Sequence, residues 1–196
     1  MRNVFAAALI LLAGSLVHAF AVEQSAPVEQ ADPAPKGSAR LDKLFADLKR
    51  ERNEKAAERI AGQIWEEWFK SGSASIDLMM MWAQNAMNEQ KYDVALDFLD
   101  EVITLSPSYA EGWNRRATLH FMMSNYGKSM SDIDHTLSLE PRHFGAISGL
   151  GMIMQEFGDE KRALDAFRRA VAIHPHLLKL PDLIKSLSEK VEGRDI

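Results

Sequence analysis

Residues 110–143 read AEGWNRRATLHFMMSNYGKSMSDIDHTLSLEPRH, which is two helical stretches closed by Pro141. Pro107 and Pro175 stand at equal distances before and after Pro141, so the three prolines mark a fixed period. Small residues recur in the same register, and in chain order they are Ala83, Ala95, Ala117, Ser129, Gly151 and Ala163. A fixed period in the range of roughly 20–50 residues indicates a repeat array, in which each unit here contributes one pair of helices.

The period of ~34 residues and the landmark positions resemble the tetratricopeptide repeat. The residues that carry the resemblance are Trp113, Ala117, Tyr126 and Pro141 in one copy and Leu150, Gly151, Ala163, Phe167, Ala170 and Pro175 in the next. The resemblance implies an all-α fold, a right-handed superhelix (α-solenoid) of antiparallel helix pairs that acts by binding. We therefore expect three full repeats, at residues 76–109, 110–143 and 144–177.

Each repeat is expected to place its second helix directly before the closing proline. The apolar pattern predicts these second helices at residues 92–105, 126–139 and 160–173. Ser108, followed three residues later by Glu111, predicts a capping box at the start of the second repeat. Asp159 is the expected N-cap of the last of these helices.

Residues 1–21 are typical of a secretory signal peptide. Arg2 gives a positive start, residues 4–17 form an apolar run, and Ala19 and Ala21 are small residues of the kind found before a cleavage site. The run is shorter than a membrane-spanning helix, which needs ~20 apolar residues. We expect cleavage after Ala21, a periplasmic location and no permanent membrane anchor. Residues 22–39 are rich in proline and poor in large apolar side chains, which predicts a disordered tether.

Two further helical segments flank the repeats. Residues 40–75 predict a degenerate helical hairpin, with Asn53 capping its second helix and a wide apolar stripe that includes Trp65 and Trp68. We expect this hairpin to cover the exposed flank of the first full repeat, because a lone repeat cannot bury its own apolar face. Residues 178–193 predict an amphipathic capping helix at the other end of the array.

The order of these segments resembles that of a group of small exported repeat proteins of alphaproteobacteria. The stretches that suggest it are residues 63–71, 111–121, 140–151 and 172–177. The resemblance implies a periplasmic protein concerned with upkeep of the cell envelope.

Family resemblance also implies that the first helix of each repeat lines a concave groove. The groove positions hold Met80, Gln84, Met87, Asn114, Arg115, Thr118, Phe121, Ser148, Met152 and Gln155. Methionine, phenylalanine and neutral amides suit a peptide or protein segment with apolar side chains. We expect Phe121 to anchor that partner, and Asn114 and Arg115 to hydrogen-bond its backbone or carboxylates. The alternative is that Met80, Met87 and Met152 fill gaps in the core.

Some members of the family hold the C-terminal tails of chaperones in a carboxylate clamp. The positions of that clamp here hold Met80, Gln84, Arg115, Gly145 and Gly149, so the clamp is not expected. Arg115 keeps the option of binding a single carboxylate.

Composition excludes several classes of function. The chain has no cysteine, which rules out disulfides and thiolate chemistry, and its formal net charge of −5 disfavours nucleic acid. The acids Asp93, Asp97, Asp100 and Glu101 share one helix face. That face is interpreted as solvated, and the alternative is a docking stripe for a basic partner.

Neither a catalytic nor a metal-binding motif is present. His143, His174 and His176 lie in turns and His120 at a packing position, which favours structural roles over metal ligation. The run with Ser131, Asp132, Asp134 and His135 places its side chains on different helix faces and is not a triad. We expect no cofactor, no metal and no enzymatic activity. A structural, self-associating envelope protein is the alternative to a binding scaffold, and an enzyme ranks third.

Overall fold

The computed structural model describes residues 39–177 and 180–193, and these residues form nine α-helices. An N-terminal hairpin of α1 (Ala39–Arg50) and α2 (Glu54–Trp68) comes first. The repeats follow as α3 (Ala74–Asn88) with α4 (Tyr92–Leu105), α5 (Ala110–Met122) with α6 (Tyr126–Leu139), and α7 (Phe144–Glu156) with α8 (Glu160–Ile173). The chain continues into α9 (Leu180–Val191). The predicted signal peptide and the predicted tether up to residue 38 lie outside the described residues.

The helix pairs stack in chain order into the expected right-handed superhelix. The second helices α4, α6 and α8 begin and end at the residues that the sequence predicts. Pro107, Pro141 and Pro175 each stand two residues beyond one of these helices. Proline has no amide hydrogen to donate and cannot continue a helix, so the period of the prolines sets the period of the fold.

Small landmark residues allow the two helices of a repeat to approach closely. Gly151 of α7 faces the ring of Phe167 of α8, and a Cβ at Gly151 would lie 2.5 Å from that ring. Ala83, Ala95 and Ala163 are fully buried at the equivalent contacts. A larger side chain at any of these positions would separate the helices, because protein cores are close-packed.

The C-terminal end of the array is covered as expected. Leu187 of α9 is buried against the last repeat, whereas Lys185 and Glu189 face solvent. Arg168 of α8 reaches across to Glu192 with two hydrogen bonds, at 2.7 and 2.9 Å. A helix with one apolar and one polar face ends a repeat array without exposing its core. Within residues 39–177 and 180–193, none of the helices is both long and apolar enough to cross a membrane.

The prediction for the N-terminal hairpin is wrong in its docking site. Trp68 stacks on His143 with ring centroids 4.0 Å apart, and Trp65 meets Phe144 edge-on at 5.5 Å. The apolar core of the first repeat contains no residue of the hairpin. The hairpin therefore packs on the start of α7 and the end of α8, not on the flank of the first repeat.

Polar contacts support this docking. Arg142 donates to Asp42 of α1 at 2.7 Å, and its guanidinium lies 4.3 Å from the centre of the Phe45 ring. His176 Nε2 lies 3.1 Å from the backbone oxygen of Glu51. The turns that close the second and third repeats thus contact the hairpin, which explains the histidines and arginine in those turns.

Helix caps follow the sequence in two cases and depart from it in one. Asn53 accepts from the amide of Ala56, and Asp159 accepts from the amide of Arg162, as expected. The predicted capping box of Ser108 and Glu111 is wrong. Helix α5 begins after Tyr109, which makes no side-chain cap hydrogen bond, and the Glu111 carboxylate is used elsewhere.

Candidate functional site

A cleft of about 630 Å³ opens between α2, α3 and α5. It is bounded by the last turns of α2 on one side and by the first helices of the first and second repeats on the other. The lining residues are Trp65, Phe69, Gln84, Met87, Asn88, Glu111, Asn114, Arg115, Thr118 and Met122. Half of the ten residues predicted to line the groove are among them.

The wall from α2 exists because the hairpin docks on the third repeat. Trp65 stacks on Phe69 with ring centroids 5.7 Å apart, and the same indole lies against Gly145 of α7. The Tyr109 hydroxyl donates to the backbone oxygen of Phe69 at 3.1 Å. Burial raises the pKa of Tyr109, which keeps this hydroxyl protonated and able to donate. The end of α2 is thereby fixed beside α5.

Glu111 is the polar centre of the site and is almost fully buried, with 1% of its surface exposed. Asn114 Nδ2 donates to Glu111 Oε2 at 2.9 Å, and Arg115 Nη2 donates to Oε1 at 2.9 Å. His143 Nε2 lies 3.1 Å from Oε2. A buried carboxylate is stable only when it is paired and hydrogen-bonded, and here three side chains satisfy it.

His143 has a defined tautomer in this arrangement. Its Nδ1 accepts from the backbone amide of Ala146 at 3.1 Å, which caps α7. The proton must therefore be on Nε2, from which it is donated to Glu111. Because Trp68 stacks on the same imidazole, one ring joins the hairpin, the start of α7 and the buried carboxylate of α5.

Arg115 is held on several sides. Its Nη1 donates to the Gln84 side-chain oxygen on α3, its Nη2 pairs with Glu111, and its guanidinium lies 5.3 Å from the centre of the Phe69 ring. Glu111 balances the charge of Arg115, so a second carboxylate entering the cleft would share a cation that is already paired. The expected hydrogen bond from Arg115 to a carboxylate of a partner stays a prediction.

A second, smaller hollow of about 80 Å³ lies between α5 and α7. Asn114 and Thr118 line it on one side together with Phe121, and Met152 lines it on the other. Phe121 is half-buried against Tyr126, with ring centroids 5.5 Å apart. The predicted anchor therefore faces this hollow and is not part of the main cleft wall.

Three of the predicted groove residues line neither opening. Met80 is buried in the core of the first repeat, which is the alternative that the sequence left open for it. Ser148 donates to the backbone oxygen of Phe144 at 2.7 Å, and Gln155 is half-buried further along α7. Met87 belongs to the same core and also reaches the cleft, whereas Met152 is exposed.

Sequence reasoning missed six residues of the site, which are Trp65, Phe69, Asn88, Glu111 and Met122 in the cleft wall and His143 beside Glu111. The hairpin that contains Trp65 and Phe69 is predicted to cover a flank, Glu111 is predicted to belong to a capping box, and His143 is interpreted as a turn residue. The apolar stripe of α2 indicated that the two aromatic residues pack somewhere, but it carried no information on where. The position of Glu111 one turn before Arg115 is the local signal for their ion pair.

Histidines and acids elsewhere have structural contacts. His174 is buried, with its ring edge-on to Phe144 at 5.2 Å. Asp132 binds Arg116 with two hydrogen bonds, at 2.8 and 2.7 Å, while His135 stacks on Trp113 at 4.2 Å. The side chains of the run from Ser131 to His135 thus diverge, as expected. Among the described residues, no group of three or more His, Asp or Glu side chains could hold a metal ion.

The acidic stripe on α4 is not uniformly solvated. Asp100 forms an ion pair with Arg116 of α5, with 2.6 Å between the charged atoms. Asp93, Asp97 and Glu101 are exposed. The interpretation as a solvated face therefore needs correction at Asp100, because that residue tethers α4 to the next repeat.

The chain is similar to known repeat proteins. A TPR repeat-containing protein of Rhizobium etli is 48% identical over 183 residues, which cover 93% of this chain and 90% of that protein. The crystal structure of MamA has a TM-score of 0.57 at 17% identity, and covers 72% of this chain and 82% of its own. The first TPR of Spaghetti (RPAP3), bound to an HSP90 peptide, has a TM-score of 0.56 at 16% identity, and covers 60% of this chain and 93% of its own. No protein-family model matches the sequence.

Proposed function

The chain belongs to the tetratricopeptide repeat family, and on that premise we propose that it binds a peptide segment of a partner protein in the cleft between α2, α3 and α5. The repeats of this family are typically protein-interaction scaffolds and not enzymes, and we propose the same for this chain. The observation that carries the proposal is the cleft of about 630 Å³, which combines apolar walls with neutral hydrogen-bonding groups. Such a combination suits a ligand whose side chains are apolar and whose backbone is polar.

The cleft wall supplies both kinds of contact. Phe69 and Met122 are 43% and 44% exposed, so each offers apolar surface to a ligand. Methionine adapts its shape to different side chains, which favours a sequence-tolerant contact. Asn88 and Thr118 are exposed and neutral, and they are placed to hydrogen-bond the backbone of an extended or helical segment.

The proposed ligand differs from the peptides seen in two structural neighbours. The RPAP3 domains were solved with HSP90 and HSP70 peptides. This chain lacks the residues of the carboxylate clamp, and its one cation among the residues lining the cleft is paired with Glu111. We therefore propose an internal apolar segment as the ligand, not an acidic C-terminal tail.

We propose further that the protein acts in the periplasm, in maintenance of the cell envelope. The support is the signal-peptide pattern of residues 1–21 and the resemblance to exported repeat proteins. Cell fractionation followed by N-terminal sequencing tests the location, with a mature chain beginning at Val22 as the expected result. A cytoplasmic chain that retains Met1 would contradict it.

Identification of the partner requires cross-linking from a defined position. A photo-cross-linking amino acid placed at Met122 is expected to capture the partner in cells, and the same group at Phe157 serves as the control. Phe157 is 53% exposed and lines neither opening. Capture of the same proteins from both positions would contradict a cleft site.

Calorimetry with the captured partner then tests the cleft directly. Phe69→Ala and Met122→Ser are each expected to weaken binding about tenfold, which corresponds to ~1.4 kcal/mol. Neither side chain is fully buried, at 43% and 44% exposure, and circular dichroism of each variant checks that its removal leaves the fold intact. Phe157→Ala is the matched control and should leave the dissociation constant within about twofold.

A further inference from the structure

The first repeat has an apolar flank that nothing in the described chain covers. Leu78, Met81 and Trp82 of α3 are 40%, 50% and 43% exposed. On α4, Val94 and Leu105 are 44% and 59% exposed, and Phe98 joins the two helices through a ring contact with Trp82 at 5.4 Å. Soluble chains rarely leave so many large apolar side chains together on one surface unless something binds there. These six residues are named the open flank.

The repeat period shows what kind of element fits the open flank. Gly112 stands one period after Leu78, and a Cβ on it would lie 2.9 Å from Val102 of α4. Arg116 stands one period after Trp82, and it hydrogen-bonds Asp100 of α4 at 2.6 Å. In the second repeat these positions are thus covered by the second helix of the preceding repeat. The open flank is the equivalent surface of the first repeat, which no preceding helix of the described chain covers.

Charge at the edge of the open flank indicates the chemistry of that helix. Asp97 and Glu101 lie on α4 beside Phe98, and both are exposed. Among residues 39–177 and 180–193, neither acid has a basic side chain within ion-pair distance. Residues 76–109 carry six acids against Lys91 alone, and Lys91 pairs with Glu89. Two copies of the chain that paired flank to flank would bring like charges together, whereas a basic helix would neutralise them.

We propose that the open flank docks one amphipathic helix with basic edges from a partner protein. The helix takes the place that α4 takes against α5, with its apolar stripe on Leu78, Trp82 and Phe98 and its lysines or arginines opposite Asp97 and Glu101. This surface lies on the outer end of the array. It is separate from the cleft, so it binds a second partner element independently of the proposed peptide site.

The test uses synthetic peptides with the length of α4. One peptide has leucine at i, i+3, i+4 and i+7 spacing with lysine elsewhere, and the control has glutamate in place of lysine. Fluorescence anisotropy with the purified chain is expected to show at least about tenfold tighter binding of the lysine peptide. Asp97→Asn combined with Glu101→Gln should abolish this preference. Equal binding of both peptides would overturn the proposed chemistry.

Matched variants locate the binding. Trp82→Ser and Leu105→Ser remove exposed side chains of the open flank and should each weaken the lysine peptide about tenfold. Met122→Ser, in the cleft, should leave it within about twofold, so failure here is distinguishable from failure of the cleft proposal. Unchanged binding in both flank variants would overturn the site.

Two further measurements decide between occupants. Sedimentation that shows a dimer of the wild type and a monomer of Trp82→Ser would assign the open flank to a second copy and overturn the proposal. Hydrogen exchange that shows protection in residues 22–38, lost in Trp82→Ser, would assign it to the chain's own N-terminal segment with the same consequence. A monomer without such protection is the expected result.

Discussion

Two apolar surfaces of the array could bind the N-terminal hairpin. The hairpin covers one of them and leaves the other exposed. The flank of the first repeat, next to the hairpin in sequence, keeps Trp82 exposed. The start of the third repeat, far away in sequence, buries Trp68 against His143. At the other end of the chain, α9 simply covers the repeat that precedes it. The hairpin therefore does not act as a second cap but forms one wall of the cleft.

The difference between the covered and the exposed surface shows that apolar area alone does not determine where the hairpin docks. Both surfaces are apolar, but the start of the third repeat and the turn before it also offer an imidazole that can stack, a glycine that admits an indole and an arginine that can pair with Asp42. The stabilisation from burying apolar surface is roughly proportional to the buried area and is non-directional, whereas ring stacking and hydrogen bonds require particular partners. These specific contacts distinguish the surface on which the hairpin docks from the open flank.

The largest expected effect is a difference in the free energy of unfolding between variants of Trp68 and of Trp82. Trp68→Ala should lower the free energy of unfolding by about 3–5 kcal/mol, because it removes a buried ring and leaves a cavity beside His143. Trp82→Ala should lower it by only about 1 kcal/mol, because that side chain is already 43% exposed and loses mainly its contact with Phe98. Chemical denaturation monitored by circular dichroism measures both. Similar losses in the two variants would mean that the hairpin does not dock as described.

A second, smaller effect is the pH dependence of stability caused by His174, which lies beneath the docked hairpin. Burial, and to a lesser extent the nearby His176, lowers the pKa of His174 to about 4. Because the ordinary histidine pKa is about 6.5, the unfolded chain binds more protons than the folded chain between these two values. The free energy of unfolding should therefore fall by about 1–2 kcal/mol from pH 7 to pH 5.

The variant His174→Leu isolates this contribution. Burial also lowers the pKa of His120, so part of the pH dependence should remain in the variant. The measurement is the urea midpoint of both chains at pH 7 and pH 5. Identical pH dependence in wild type and variant would show that His174 is not buried as a neutral group.

The smallest expected effect on stability concerns Gly145, the glycine of α7 that contacts the hairpin. A Cβ at Gly145 would lie 2.8 Å from the indole of Trp65, so Gly145→Ala should destabilise the protein by about 1 kcal/mol. Gly149 lies one turn later on α7, where a Cβ meets only Ile133 at 3.5 Å. Gly149→Ala should stabilise by ~0.5 kcal/mol through helix propensity. If both substitutions stabilise equally, Trp65 does not contact α7.

Much of the fold was accessible from the sequence, but less of the site. Five of the ten predicted groove residues line the main cleft, because the repeat register places them on one face of α3 and α5. Trp65 and Phe69 could not be placed there, because their partners on α5 and α7 are remote in sequence. Glu111 was misassigned because its neighbours fit a capping pattern, and only the folded chain brings His143 to its carboxylate.

The sequence by itself determined the period, the bounds of α4, α6 and α8 and the close contacts at small residues such as Gly151. These features depend on residues within one repeat or one period apart, so the pattern along the chain contains them. Only the tertiary structure decided where the hairpin docks, which tryptophan is buried and how Arg115 is neutralised. An apolar stripe specifies that a helix must be buried, but because the hydrophobic effect is non-directional it does not specify against which surface.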